Sequence, residues 1–307
     1  MKDTVIINEV GPRDGLQNQP KLLAVDEKLA LIQALLAAQL RYIELGAFVS
    51  PKAVPAMSGT DQVVASCRDY QADFSVLVPN MKGYELARQA SCKTVAMVVY
   101  ATEGMAQKNV RMSRRQALDE ALCMAAVSQT DNMQVLATIA TSFECPFDGM
   151  ADIGIVAETA NELLENGIDA VVIADTIGAA APSQVKQLVT RLAADNDVSR
   201  LACHFHDTRA LGMANVFSAL EAGIRRFDAS IAGLGGCPFA PGASGNIATE
   251  DAVMMLEQMG LDTGVDLDQL LVASDLAEQL TGTAPGGRSK AWLKPYRLKQ
   301  RELAQAS

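Results

Sequence analysis

The chain predicts an α/β fold closed into an eight-stranded (β/α)8 TIM barrel with additional C-terminal helices, and two observations carry that prediction. Eight short runs rich in β-branched residues, at 5–10, 42–45, 74–78, 95–100, 135–140, 170–174, 201–206 and 227–232, alternate with longer Ala/Leu-rich stretches. In those stretches, such as 26–40, 113–128, 151–166 and 210–222, apolar residues recur at helical spacing. Strand–helix alternation implies a parallel sheet, and eight repeats with no linker-like break favour closure over an open sheet. The length agrees. The 307 residues, 49% of them hydrophobic, can bury one large core, and barrels of roughly 250 residues fold as one domain. We therefore expect one domain over 1–307, in which 266–307 is a helical extension packed on the barrel.

Taken in order, the strand ends place the chemistry. In a β/α barrel all C-terminal strand ends share one rim, where active sites sit. Strand 1 runs into Glu9-Val10-Gly11-Pro12-Arg13-Asp14, and strand 2 ends near Glu44. Strand 4 is followed on the same rim by Lys108, Asn109, Arg111, Ser113, Arg114 and Arg115. That stretch reads either as a phosphate contact or as a solvated helix start. Strand 6 ends at Asp175-Thr176, strand 7 carries His204 and His206, and strand 8 empties into a glycine-rich loop. Arg225 and Arg226 precede strand 8 and belong to the opposite face.

Charge and composition exclude several classes. A formal charge of -10 with no basic stripe argues against nucleic acid or an anionic membrane as partner. The longest apolar runs are too short to span a bilayer, and the first residues lack the apolar core of a signal peptide. The six cysteines are scattered without a Cys-x-x-Cys and read as reduced thiols, most of them core filler, with the five other than Cys237 expected to be inert core residues. The expected compartment is cytoplasmic and the expected partner a small molecule.

Both histidines of the chain lie in Cys203-His204-Phe205-His206-Asp207. With a side-chain period of two they project from one face of strand 7, a chelating geometry if that face is the barrel interior. The plainer reading is a pair of hydrogen-bonded core histidines. Asp14 and Asn246 are the natural complements, and two imidazoles with carboxylate and amide oxygens suit Mg²⁺ or Mn²⁺ better than a closed zinc site. A barrel that did carbon–carbon chemistry without a metal would normally present a lysine for a Schiff base. No predicted strand ends in one, Lys93 lying before strand 4.

The loop from Gly233 to Asn246 fits neither a dinucleotide fingerprint, since Pro238 takes the third glycine position, nor a Walker loop. Its glycine density suggests close approach to a ligand and lid motion. Cys237 sits within it, as a proton-transfer thiol or as an incidental loop cysteine.

Together the segments 9–18, 48–52, 204–208 and 233–251 resemble 3-hydroxy-3-methylglutaryl-CoA lyase, one of a wider group of metal-dependent barrel lyases and condensing enzymes. The likeness runs from strand 1 to about residue 264. It implies a homodimeric lyase that cleaves an acyl-CoA substrate by retro-aldol-type chemistry with a divalent cation. It implies metal ligands at Asp14, His204, His206 and Asn246, and catalytic roles for Arg13, Asp14, Glu44, Asp175 and Cys237. It also implies substrate contacts at Arg13, Gln17, Glu44, Ser50 and Arg209. Arg13, beside the ligand set but outside it, is expected to be removable without cost to metal content or stability. Where the family often has Thr-Ser, Glu-Lys and Tyr-Gly, this chain has Gly46-Ala47, Gln19-Pro20 and Arg209-Ala210, all expected to border the acyl pocket. The neighbouring readings are the same mechanism on a citramalyl- or methylmalyl-type thioester, an isopropylmalate-type synthase, and a non-enzymatic metal-binding barrel. The second commonly carries a long C-terminal regulatory domain, for which a chain ending at Ser307 is too short.

Overall fold

The computed structural model describes residues 3–236, 245–283 and 286–305. Eight parallel strands close into a barrel: β1 (Ile6–Glu9), β2 (Tyr42–Ala47), β3 (Asp73–Leu77), β4 (Thr94–Tyr100), β5 (Gln134–Ala140), β6 (Ala170–Asp175), β7 (Leu201–Phe205) and β8 (Arg226–Ala229). They pair in chain order, and β8 returns to β1 to complete the ring. This is the fold that the alternation predicts. Along each strand the side chains alternate. On β7, Ala202 and His204 face the interior cavities, while Cys203 and Phe205 are fully buried in the hydrophobic core. Burying each large apolar side chain of that outer layer contributes roughly 1.5–3 kcal/mol.

The helices between the strands are α1 (Val25–Ala37), α2 (Thr60–Cys67), α3 (Met81–Gln89), α4 (Glu103–Val110), α5 (Arg114–Asp131), α6 (Ile153–Glu165), α7 (Pro182–Ala193), α8 (Gly212–Glu221) and α9 (Thr249–Gln258). Two more, α10 (Leu267–Thr281) and α11 (Lys290–Gln305), follow. α10 packs on α1, and Lys290 joins α11 to it through Asp275 at 3.0 Å and Glu278 at 3.1 Å. No helix of the described residues is long and apolar enough to cross a membrane.

Two features depart from the expected elements. The last strand stops at Ala229 rather than 232, because the next backbone N–H groups leave the ladder: Ile231 donates to Glu9 at 2.8 Å and Ala232 to Glu250 at 3.0 Å. Ala232 takes φ 58° in the tight turn that results. A two-residue hairpin, Glu144–Cys145 with Gly149–Met150, also caps the loop after β5. It is too short to leave a periodic signal in the sequence.

Candidate active site

Val10 O accepts the N–H groups of Arg13, Asp14 and Gly15 at 2.7–3.1 Å. This winds Gly11–Gly15 into a single π-helical turn, a form that recurs at functional sites. Only glycine fits at Gly11, where a Cβ would stand 2.5 Å from Glu9 Oε1. The fully buried Glu9 accepts from Gly11 N and Ile231 N, both at 2.8 Å, and from Thr249 Oγ1 at 2.6 Å. One carboxyl group thereby ties the turn after β1 to the turn after β8. Burial pushes that carboxyl up to about 7 despite its donors.

The turn presents Arg13 and Asp14 to the barrel mouth. Arg13 Nη1 donates to Asp14 at 2.6 Å, and Nε donates to Glu44 at 2.6 Å. Glu44, on β2, is buried under the guanidinium. Burial raises its carboxyl above the ordinary value even against the Arg13 charge. Burial would raise Asp14 too, but there Arg13, then His204 and His206, outweigh it and hold the carboxyl well below the usual carboxylate range.

His204 and His206 point into the same mouth, ring centroids 4.9 Å apart. Each is held by Nδ1, leaving Nε2 for another partner. His204 Nδ1 meets Asp228 Oδ2 at 3.1 Å, and His206 Nδ1 donates to the Asp175 carbonyl at 2.9 Å. Burial draws His206 down to about 4, its neighbour His204 adding to the effect. In His204 burial acts the same way, but Asp228 reverses it and the value is raised.

Ligand atoms of Asp14, His204 and His206 all lie within 4.8 Å of one another, so the three could hold a metal ion. Asn246 completes the corner: its Nδ2 donates to Asp14 at 2.7 Å and to Leu234 O at 3.0 Å. Its Oδ1 is buried with no hydrogen-bond partner among the described residues. Such an orphan acceptor is costly unless a donor or a cation meets it, and an amide oxygen on the residue that bonds Asp14, with two imidazoles in the same mouth, fits a divalent cation. The glycines nearest Asn246 serve this packing. A Cβ on Gly235, at φ 136°, would reach 2.5 Å from Asn246 Nδ2.

Above the cluster opens a cavity of about 450 Å³. Arg13, Asp14, His204 and His206 form its polar floor, and Val49, Val54, Leu77 and Met105 are among its apolar walls. A polar, metal-capable floor under an apolar wall suits a small acid carried on a longer, less polar chain.

The family model described as HMGL-like matches residues 4–277. The chain belongs to the HMGL-like family. It is 40% identical over 290 residues to hydroxymethylglutaryl-CoA lyase of Pseudomonas mevalonii, covering 94% of this chain and 96% of that one. It is also 40% identical to (R)-citramalyl-CoA lyase of Chloroflexus aurantiacus, over 89% of this chain and 90% of that one. The crystal structure of hydroxymethylglutaryl-CoA lyase from Pseudomonas aeruginosa superposes with a TM-score of 0.92 at 38% identity, covering 96% and 99% of the two chains. With hydroxymethylglutaryl-CoA lyases 40% identical to it over nearly its whole length, the chain is a carbon–carbon lyase.

In this HMGL-like chain the structure brings together Arg13, Asp14, Glu44, His204, His206 and Asn246. Gln17, Ser50 and Asn109 line the cavity. Others named from the sequence stand elsewhere. The Asp175 carboxylate turns into the loop after β6, accepting from Ala179 and Ala180 at 2.8 and 3.1 Å. Its carbonyl is what reaches the site. Arg209 is directed to the Ala179 carbonyl and Glu144. Lys108 and Arg111 end α4, and the Ser113 hydroxyl caps α5 by accepting from Gln116 N; none of the three lines the cavity. Arg114 and Arg115 reach Thr159, Asp119 and Glu162 on neighbouring helical turns. Cys237 lies outside the described residues.

Three expectations need correction. The departures from the family pattern do not line this cavity: a Cβ on Gly46 would meet Thr60 of α2, Gln19 bonds Gly15 O and Thr283, and Arg209 lies as above. Cys123 is exposed and Cys92 half-buried, so the cysteines other than Cys237 are not all core. Arg13 is not free to leave, since its departure would strand the buried Glu44 without its counter-ion. The sequence reading also missed Asp228 and Asn8. The available signal was the strand period, which sets Asp228 two residues past Arg226 on the inward face of β8.

Proposed function

We propose that the chain cleaves 3-hydroxy-3-methylglutaryl-CoA to acetyl-CoA and acetoacetate, using Mg²⁺ or Mn²⁺ held by Asp14, His204, His206 and Asn246. The observation that carries this reading is the convergence of Asp14, His204 and His206 within 4.8 Å directly beside Arg13. A bound divalent ion would supply Lewis acidity toward the substrate hydroxyl and an adjacent carboxylate oxygen, and would orient the bond to be broken. Of the two carboxylates suited to take the hydroxyl proton, Asp14 lines the cavity and is in direct reach. Glu44 lies beneath and fixes Arg13.

As the carbon–carbon bond breaks, its electron pair moves toward the thioester and negative charge grows on the thioester oxygen. Arg13 meets that charge with a permanent cation held in place by two carboxylates. Cys237 protonates the acetyl carbon to complete acetyl-CoA, while the glycine loop excludes water. The apolar walls receive the pantetheine arm.

A second reading, cleavage of citramalyl-CoA, rests on the equal identity to the Chloroflexus relative. The test is a panel of hydroxymethylglutaryl-, citramalyl- and methylmalyl-CoA assayed with purified protein before and after EDTA. The expected result is highest kcat/KM on hydroxymethylglutaryl-CoA, loss on stripping, and recovery with Mg²⁺ or Mn²⁺. Preference for citramalyl-CoA would move the assignment to the second reading. Full activity in stripped protein would remove the metal.

A further inference from the structure

The two imidazoles of the site are held by different kinds of partner. His206 leans on a backbone carbonyl, which no substitution of Asp175 removes. His204 leans on a side chain, Asp228, that no part of the proposed chemistry uses. The strand register explains the contact. Asn8 on β1 pairs with Asp228 on β8, and Asp228 pairs with His204 on β7. The three side chains therefore stand at one level across three adjacent strands, all turned inward. Asn8 Nδ2 donates to Asp228 Oδ1 at 2.8 Å, and Asp228 Oδ2 meets His204 Nδ1 at 3.1 Å. Both carboxylate oxygens are thus engaged, and the residue is buried.

We infer that Asp228 is a positioning residue for the metal centre. Its carboxylate takes the Nδ1–H of His204, fixing the tautomer whose Nε2 lone pair faces Asp14 and His206, and Asn8 holds the carboxylate from behind. The inference rests on the metal reading of the site. A ligating imidazole whose second nitrogen is bound to a carboxylate is oriented and made more basic, and loss of such a partner typically costs about 10–100-fold in metal affinity. Asp228 also lies between the mouth cavity and a second cavity beneath it, lining both. Its removal would join two voids at the level of the ligand ring.

The test is Mn²⁺ titration of the wild-type chain and of Asp228→Ala, Asp228→Asn and Asn8→Ala, read by the electron paramagnetic resonance of free Mn²⁺. Asp228→Ala should weaken Mn²⁺ binding about 10–100-fold. Asp228→Asn can keep the hydrogen bond if both amides turn over, so it should lose less, and Asn8→Ala should lose least. The mouth residues Asp14 and Arg13 are untouched in all three. Asp228→Ala should also lower the melting temperature by opening the void, so a loss of affinity in Asp228→Asn at near-wild-type melting temperature marks positioning rather than general damage. If Asp228→Ala does not fold, the two milder variants carry the test. Wild-type binding with unchanged affinity in every folded variant overturns the inference alone. No Mn²⁺ binding by the wild type overturns the metal reading and this inference with it.

Discussion

Above the layer of Asn8, Asp228 and His204 the barrel opens into the cavity of about 450 Å³. Below it lies one of about 260 Å³, lined by Tyr42, Ser75, Thr94, Gln134 and Arg226 among others. Both ends are polar and both hold an arginine, yet they differ in what the polar groups face. At the mouth, Asp14, His204 and His206 aim ligand atoms at one point, and buried partners hold each of them. At the bottom the polar side chains pair locally: Thr94 reaches Gln134 at 3.4 Å, and the Arg226 guanidinium lies 5.9 Å from the centre of the Tyr42 ring. Polarity inside a barrel is therefore not a site by itself. Convergence and support make one, and they come with the loops that leave the C-terminal strand ends.

The largest expected difference between the ends is in their arginines. Arg13→Met should lower kcat by about 10²–10³-fold, as for loss of one oxyanion donor, with a much smaller change in KM. It should also destabilise the protein, since removing one partner of a buried pair leaves a charge behind, typically costing about 3–5 kcal/mol. The double variant Arg13→Met/Glu44→Gln removes both charges. It should recover most of the urea midpoint while remaining as inactive as the single variant. Recovery of activity along with stability would show that Arg13 acts only as a strut for Glu44.

The same contrast explains what could be read from the sequence. The strand–helix alternation made the barrel legible, because each element repeats a simple period. The His-x-His pair was legible because two residues on one strand share a face. Arg13 and Asp14 were legible because they follow a strand directly. The coupling of Arg13 to Glu44 was not, since it joins residues 31 positions apart. Asp228 escaped for the same reason. Its meaning comes from register with two other strands, which a single run of residues does not display. Lys108, Arg111 and Ser113 were on the right rim, but the helix ends formed there turn them to capping and to solvent.

A smaller effect tests the support of the mouth. Glu9 joins the two turns that carry the site, and burial raises its carboxyl from 4.5 to about 7. The folded state therefore holds a proton that the unfolded state has released between those values. The stability that this contributes is fully present below about pH 4.5 and is lost as pH rises through 7. Relative to Glu9→Gln, the wild-type chain should lose on the order of 3 kcal/mol of unfolding free energy across that window. Urea midpoints of both proteins at pH 5 and pH 7.5 give the comparison, and His206, which titrates in the opposite sense, cancels in the difference. A difference that grows in favour of wild type with pH would mean that the three donors around Glu9, not its burial, set its proton affinity.

The smallest effect is expected at the bottom arginine. Arg226 begins β8, two residues before Asp228 on the same inward face, and its guanidinium rests over Tyr42. That contact is worth about 0.5–1 kcal/mol at an accessible position. Arg226→Met keeps the length of the side chain and its packing on the ring while discarding the charge. The melting temperature should fall by no more than about 2–4 °C, and kcat should stay within about twofold of wild type, because no reacting group is proposed to meet this end of the barrel. Arg226 stands two positions before Asp228, a rise of about 6.6 Å, so of the layer's groups Asp228 is the charged one nearest to it along the strand. A tenfold fall in kcat with unchanged KM would therefore mean that the field of the lower cavity reaches His204 through that carboxylate, and the two ends of the barrel would have to be treated as one electrostatic unit.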